Sequence, residues 1–262
     1  MVIAEVRFIL ASLIMLFFSH FIFNNRLPAK REWKQLMVYG FFNIAVYLGL
    51  YVVAMQSITA GIGSLAVASN PVFISFLSVL FFKKSLHYSI VISIIVCTLG
   101  VACASWPLIG NASVNVAGLF ILLISMLSYS IGALYFSSRQ WNDLSLLTIN
   151  GWQTLFGGIF LLPVTIVFYK NSATHFDIRF WLSVGWLVIP VSIFAVQLWL
   201  RLLKINAVRA GLWLFLCPLF GFMIAAMVLK ETINAFTIAG VVLVIAGLLL
   251  SRINSNKNIS HK

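Results

Sequence analysis

Nine apolar runs follow one another along the chain, each about as long as a bilayer is thick, with short polar breaks between them. They fall at approximately 5–23, 36–56, 61–82, 88–106, 115–136, 146–169, 180–200, 208–229 and 234–251. A helix needs roughly 20 apolar residues to cross the hydrocarbon, whereas a membrane strand needs about half that and alternates polar with apolar. These runs are long and do not alternate, so helices are the only spanning structure open to them. The predicted fold class is an all-α membrane protein, a polytopic helical bundle of about nine transmembrane helices. Composition agrees: of 262 residues 62% are hydrophobic and 8% charged, with a mean hydropathy of +1.08. A soluble domain carries about a quarter charged residues.

The net charge of +12 does not point to nucleic acid, because the basic residues stand between apolar runs and not on one folded face. They sort by side instead. Arg26, Lys30, Arg31, Lys34, Lys83, Lys84, Arg139, Arg201, Lys204, Arg209, Arg252, Lys257 and Lys262 fall on one side, and only Arg7, Lys170, Arg179 and Lys230 on the other. The positive-inside rule makes the first side cytoplasmic. The expected location is the bacterial plasma (inner) membrane, multi-pass, with the C-terminus cytoplasmic and residues 252–262 a polar tail. Cys97, Cys103 and Cys217 lie inside apolar runs and read as small buried residues; neither a disulfide framework nor a metal motif is present, and no cofactor is expected.

Two stretches repeat. An offset of 147 residues sets Pro71 on Pro218 and runs without a gap from Ser57–Ala102 against Lys204–Leu249, with seven identities in 46 positions, among them Ile58 on Ile205, Lys83 on Lys230 and Gly100 on Gly247. The third and fourth spans thus match the eighth and ninth. Five spans separate the copies, an odd number, so the copies insert with opposite orientation. Inverted-topology repeats of this kind are a transporter signature, with the substrate site near the midplane. The domains predicted are a first repeat at 1–106, a second at 107–251, and the tail at 252–262. Two five-span copies require ten spans, so the chain is expected to lack the opening helix of its first copy.

GSLAVASNPVFISFLSVLFF and CPLFGFMIAAMVLKETINAFTIAGVVLVIAGLLLSR resemble the paired closing segments of the EamA family, in the drug/metabolite transporter superfamily. Glu231 stands where that family places a turn glutamate, while Lys84 departs from it in the first copy; Arg7 in AEVRFILASLIM resembles the arginine opening the family's second helix. The resemblance spans the chain except for the family's first helix. It implies two inverted five-helix copies around a central cavity, and carriage of amino acids, nucleotides, sugars, vitamins or drugs, often outward.

Glu5, Glu32, Asp143, Asp177 and Glu231 are the only acids, and all lie at or near span ends; the four histidines do likewise. A charge at the membrane centre costs at least about 2.5–3.5 kcal/mol by insertion scales. Uncharged polar residues are therefore the candidates at depth. Asn43 and Tyr47 are four apart and share a helix face, with Tyr51 one turn on. Asn70 precedes Pro71, and a proline inside a helix frees a carbonyl one turn earlier. Ser125 with Tyr129, Asn150 with Gln153, then Gln197, and Trp213 with Cys217 complete the set. The expected substrate-binding residues are Asn43, Tyr47, Asn70, Tyr129, Gln153, Gln197 and Trp213, with helix kinks at Pro71, Pro190 and Pro218. The pairs Ser64/Ala68 and Ser128/Gly132 read as helix-packing contacts. Glu231 and Thr232 read as a cap for the last helix. An interior of amides and rings without fixed charge predicts a neutral, zwitterionic or aromatic solute.

The function expected is an integral membrane transporter, a permease and not an enzyme. It would export an amino acid or related metabolite or drug by alternating access of two inverted repeats. On the same scaffold the alternatives are an importer of a vitamin or nucleotide precursor, or a non-transporting remnant. Its partners are a small-molecule solute and the lipid bilayer, with no nucleic acid; a homodimer is left open.

Overall fold

The computed structural model describes residues 2–58, 60–83, 86–109, 116–167, 176–229 and 235–253. Lys84, Lys230, Glu231 and Thr232 lie outside them, as does the tail beyond 253. Every regular element among the described residues is helical. We label them α1 (Val2–Ile22), α2 (Lys30–Ala54), α3 (Ala60–Val67), α4 (Asn70–Phe82), α5 (Tyr88–Ile109), α6 (Val116–Ser138), α7 (Leu146–Val167), α8 (Ile178–Ile205), α9 (Ala207–Leu212), α10 (Leu216–Leu229) and α11 (Ala235–Ile253). Helices α1, α2, α6, α7 and α8 are each long and apolar enough to cross a membrane. The faces of α1 separate cleanly: Phe8, Ala11 and Met15 are buried, while Ile9, Leu13 and Phe17, four apart, are 40–55% exposed. A row of bare aliphatic and aromatic side chains is what lipid requires.

Two compact units form, Met1–Val52 with Ile131–Ala207, and Val53–Ser130 with Val208–Lys262. Each draws helices from both halves of the sequence. In the first, α1 and α7 pack antiparallel: Glu5 meets Thr165, Phe8 meets Gly158, Met15 and Leu16 meet Gly151, and Ser19 meets Thr148. Glycine sets this spacing. A Cβ on Gly157 would collide with Ile44 of α2, and one on Gly40 with the Gln153 carbonyl. At the entry to α2, Glu32 accepts two bonds from the Arg26 guanidinium, both 2.8 Å, and one of 2.7 Å from the Ala29 N–H. That is the back half of a capping box plus a bidentate ion pair. Glu32→Ala is expected to lose about 1–2 kcal/mol, the range of a lost cap; an unchanged unfolding midpoint in detergent would show the pair to be idle.

In the second unit α5 and α11 are the repeat-related helices, and they run antiparallel. Ser93 Oγ donates to the Gly247 carbonyl at 2.6 Å, the Cys97 thiol to the Val244 carbonyl at 3.5 Å, and the Cys103 thiol to the Phe236 carbonyl at 3.7 Å. The pattern is reciprocal. Gly247 faces Ser93 and Cys97; Gly100, its equivalent at the 147 offset, faces Gly240 and Val244, which are the equivalents of Ser93 and Cys97. Reciprocal contacts are the mark of a two-fold axis. Two copies related by an axis across their own direction are inverted copies, which is the expected repeat topology. Cys97 is buried here as expected, but Cys217 is exposed on α10, so only the first fits the reading of small buried residues for all three. Ser64 of α3 faces Gly221 of α10, and Gly132 of α6 faces Asn43 of α2, both close helix contacts.

The prolines behave differently from one another. α3 ends at Val67, the chain turns at Ala68–Ser69, and Pro71 sits in the first turn of α4. It starts a helix and does not bend one, because its missing N–H falls where a helix has no partner to offer anyway. Pro218 stands likewise in the first turn of α10, after a 3₁₀ turn at Trp213–Phe215. Pro190 lies within a π-helical stretch of α8, Leu187–Ala195, whose wider turns absorb the lost bond. Pro71→Ala is accordingly expected to shift stability by no more than about 1 kcal/mol; a loss of about 3 kcal/mol, the size of an interior-proline effect, would restore the kink.

Candidate functional site

The first unit holds a hydrogen-bonded chain that crosses four helices. Asn43 Nδ2 of α2 donates to Gln153 Oε1 of α7 at 3.1 Å, and Gln153 Nε2 donates to Asn150 Oδ1 at 3.1 Å. Asn150 Nδ2 donates to the Ser192 carbonyl of α8 at 2.8 Å, and the Ser192 hydroxyl accepts from Arg7 Nε of α1 at 2.7 Å. Thr154 adds a bond to Asn150 Oδ1 at 3.3 Å. Local structure explains the alignment. Asn150, Gln153 and Thr154 are three and four apart and share one face of α7. Asn43 lies in a π-helical stretch of α2, Phe41–Val46, and Ser192 in that of α8. π-Bulges are common at functional positions because they re-aim side chains and loosen the backbone ladder.

Burial grades along this chain. Gln153 and Asn150 are each 1% exposed, whereas Asn43 and Tyr47 are half-buried. The inner amides hold the outer one in place. Tyr47 and Tyr51 carry their rings 6.1 Å apart, and Tyr47 also lies within electrostatic reach of Arg7. Arg7 packs its guanidinium over the Phe8 ring at 5.2 Å to the centroid, within cation–π range. Gln197 of α8 is in the same unit, and its Nε2 is buried without a hydrogen-bond partner.

The other expected residues lie in the second unit. Asn70 is 1% exposed, with its Nδ2 on Met126 Sδ at 3.3 Å and its Oδ1 accepting from Ser130 at 3.3 Å. Both ends are used in tying α4 to α6. Tyr129 is half-buried on α6, and Trp213 is 41% exposed in the 3₁₀ turn. Ser192 and Arg7 were not among the expected site residues. Ser192 gave no signal, being one serine in an apolar run. Arg7 gives a strong one, an arginine inside a membrane-length helix, although it stands close to a span end. Arg7 is half-buried and sets a fixed charge beside the uncharged polar residues.

The sequence pattern of the EamA-like transporter family matches residues 1–106 and, a second time, residues 116–253. The chain belongs to this family. Proteins named as uncharacterized transporters align over nearly its whole length. An uncharacterized transporter, YdfC, of Bacillus subtilis (strain 168) is 22% identical over 254 residues, covering 96% of this chain and 81% of that protein. An uncharacterized transporter of Archaeoglobus fulgidus is 26% identical over 254 residues, covering 95% and 87%. A solved crystal structure superposes with a TM-score of 0.76 at 16% identity, covering 95% of this chain and 86% of that one, which establishes the shared fold. This EamA-like chain is thus a multi-pass α-helical membrane transporter.

Proposed function

We propose that the chain carries a small organic solute across the bacterial inner membrane by alternating access, and that the solute site is built on Asn43, Tyr47 and Gln153 of the first unit. What supports the reading is the hydrogen-bonded chain from Asn43 to Arg7, placed among apolar helices of a transporter-family protein. Polar side chains at membrane depth are expensive and persist where they tie helices or line a path. Gln153 and Asn150 tie α2, α7 and α8, which leaves half-buried Asn43, with Tyr47 one turn on, to meet the solute. The inverted copies supply the mechanism, since rocking about a two-fold axis exchanges which face is open. Export of an amino acid or related metabolite is the direction and class proposed, with the C-terminus cytoplasmic.

The test is flux. Purified protein in liposomes is loaded with labelled leucine, phenylalanine, threonine and cysteine, and release is followed with and without a proton gradient. Release above that of protein-free liposomes for at least one solute is expected, with Asn43→Leu reducing it about tenfold, the factor for losing one hydrogen bond to a charged or strongly polar group. Release equal to that of empty liposomes across amino acids, nucleosides and sugars would remove the carrier role.

A further inference from the structure

We propose that Arg7 is the anion anchor of this site, its free guanidinium edge receiving the carboxylate of an amphipathic organic acid, amino acids included. The proposal rests on the transport reading above and narrows it to a substrate class. Three observations carry it. First, the guanidinium is positioned: Nε donates to Ser192 at 2.7 Å, and Cζ lies 5.2 Å from the Phe8 ring centroid. Second, its outer edge is unengaged. Nε makes the only hydrogen bond of Arg7, so among the described residues the four N–H groups of Nη1 and Nη2 have no protein acceptor. Third, its charge is unmatched. The ion pair among the described residues is Arg26 with Glu32, far along the chain. Glu5, two residues from Arg7, lies on a different helix face, where its Oε2 accepts from Thr165 at 3.4 Å and its Oε1 has no hydrogen-bond partner among the described residues.

A planar fork with two parallel N–H donors matches a carboxylate in a bidentate pair, and this is the geometry for which arginine is preferred over lysine. Phosphate fits less well. A dianion calls for a second cation, and the other described lysines and arginines stand near helix ends or in loops. The depth suits a carried group: Ser192, to which Arg7 donates, lies near the middle of α8. The neutral solutes allowed by the sequence fall away, while zwitterionic and acidic aromatic ones remain.

The experiment uses the full-length protein in liposomes. Phenylglyoxal labelling of Arg7 is read site by site by mass spectrometry, in the presence of millimolar phenylalanine, leucine or benzoate, or of the matching amides. At least one acid is expected to protect Arg7 about tenfold better than its amide. Equal labelling under acids and amides, or no protection by any of them, overturns the proposal. Arg7→Lys, which keeps the charge and loses the fork, and Arg7→Gln, which loses both, are then compared in flux. Acid flux is expected to fall about 10- to 100-fold in Arg7→Gln, the factor for hydrogen bonds to a charged group, and less in Arg7→Lys. The unfolding midpoint of each variant in detergent is the folding control. Wild-type acid flux in Arg7→Gln refutes the anchor and leaves the carrier standing. Protection of Arg7 without flux of any solute supports the anchor and counts against the carrier.

Discussion

Gly100→Leu and Gly247→Leu are each expected to force α5 and α11 apart, and to do so by similar amounts. A Cβ at Gly100 would already come within 2.9 Å of the Gly240 carbonyl, Leu243 Cβ and the Val244 N–H, and one at Gly247 within 2.5 Å of Cys97 Sγ and 3.1 Å of the Ser93 carbonyl. Most of these obstacles are backbone, which moves only if a whole helix moves. Overpacking a tight contact costs about 1–3 kcal/mol, and a leucine against backbone belongs at the upper end. The readout is the unfolding midpoint and the monodisperse fraction in detergent. The reciprocal contact predicts equality as well as loss. A leucine tolerated at one glycine and lethal at the other would show that the two helices do not meet around a common axis.

Gln153→Leu is expected to have the second large effect, and a mixed one. The leucine fills the volume but leaves Asn43 Nδ2 without its acceptor and Asn150 Oδ1 with one donor fewer. Stranding buried polar groups costs about 1–3 kcal/mol. Stability should fall by that amount, and flux should fall further than stability, because Asn43 loses its orientation. Gln153→Glu keeps the acceptor for Asn43 while placing a carboxylate two hydrogen-bonded residues from Ser192, on which Arg7 rests. Under the anchor proposal it weakens acid flux without a matching drop in midpoint. Flux that tracks the midpoint in both variants would reduce the chain to a helix tie.

The membrane class and the repeat were readable because both are one-dimensional signals. Twenty apolar residues require a span, and a fixed offset between Pro71 and Pro218 requires no knowledge of packing. Asn43 was readable with Tyr47 because helical periodicity alone puts them on one face. Pairing it with Gln153 was not, since a contact across 110 residues depends on which helices become neighbours. The same limit hid Ser192. Pro71 misled for a different reason: the apolar run around it is continuous, so nothing marks the break at Ala68–Ser69, and a proline that opens a helix looks the same as one that bends it. Arg7 is easily passed over because it stands close to the end of a run. Its neighbours, and not its position, decide its surroundings.

The mirrored glycines at 100 and 247 carry a consequence for how such a chain arises. In a half-length precursor inserted both ways up, one codon would have supplied both sides of this crossing, so any bulky change would have been felt twice at once. Joining the halves in one gene uncouples the sides. Cys97 and Val244, or Ser93 and Gly240, are then at liberty to differ, so that one side of the crossing can change while the other stays as it was.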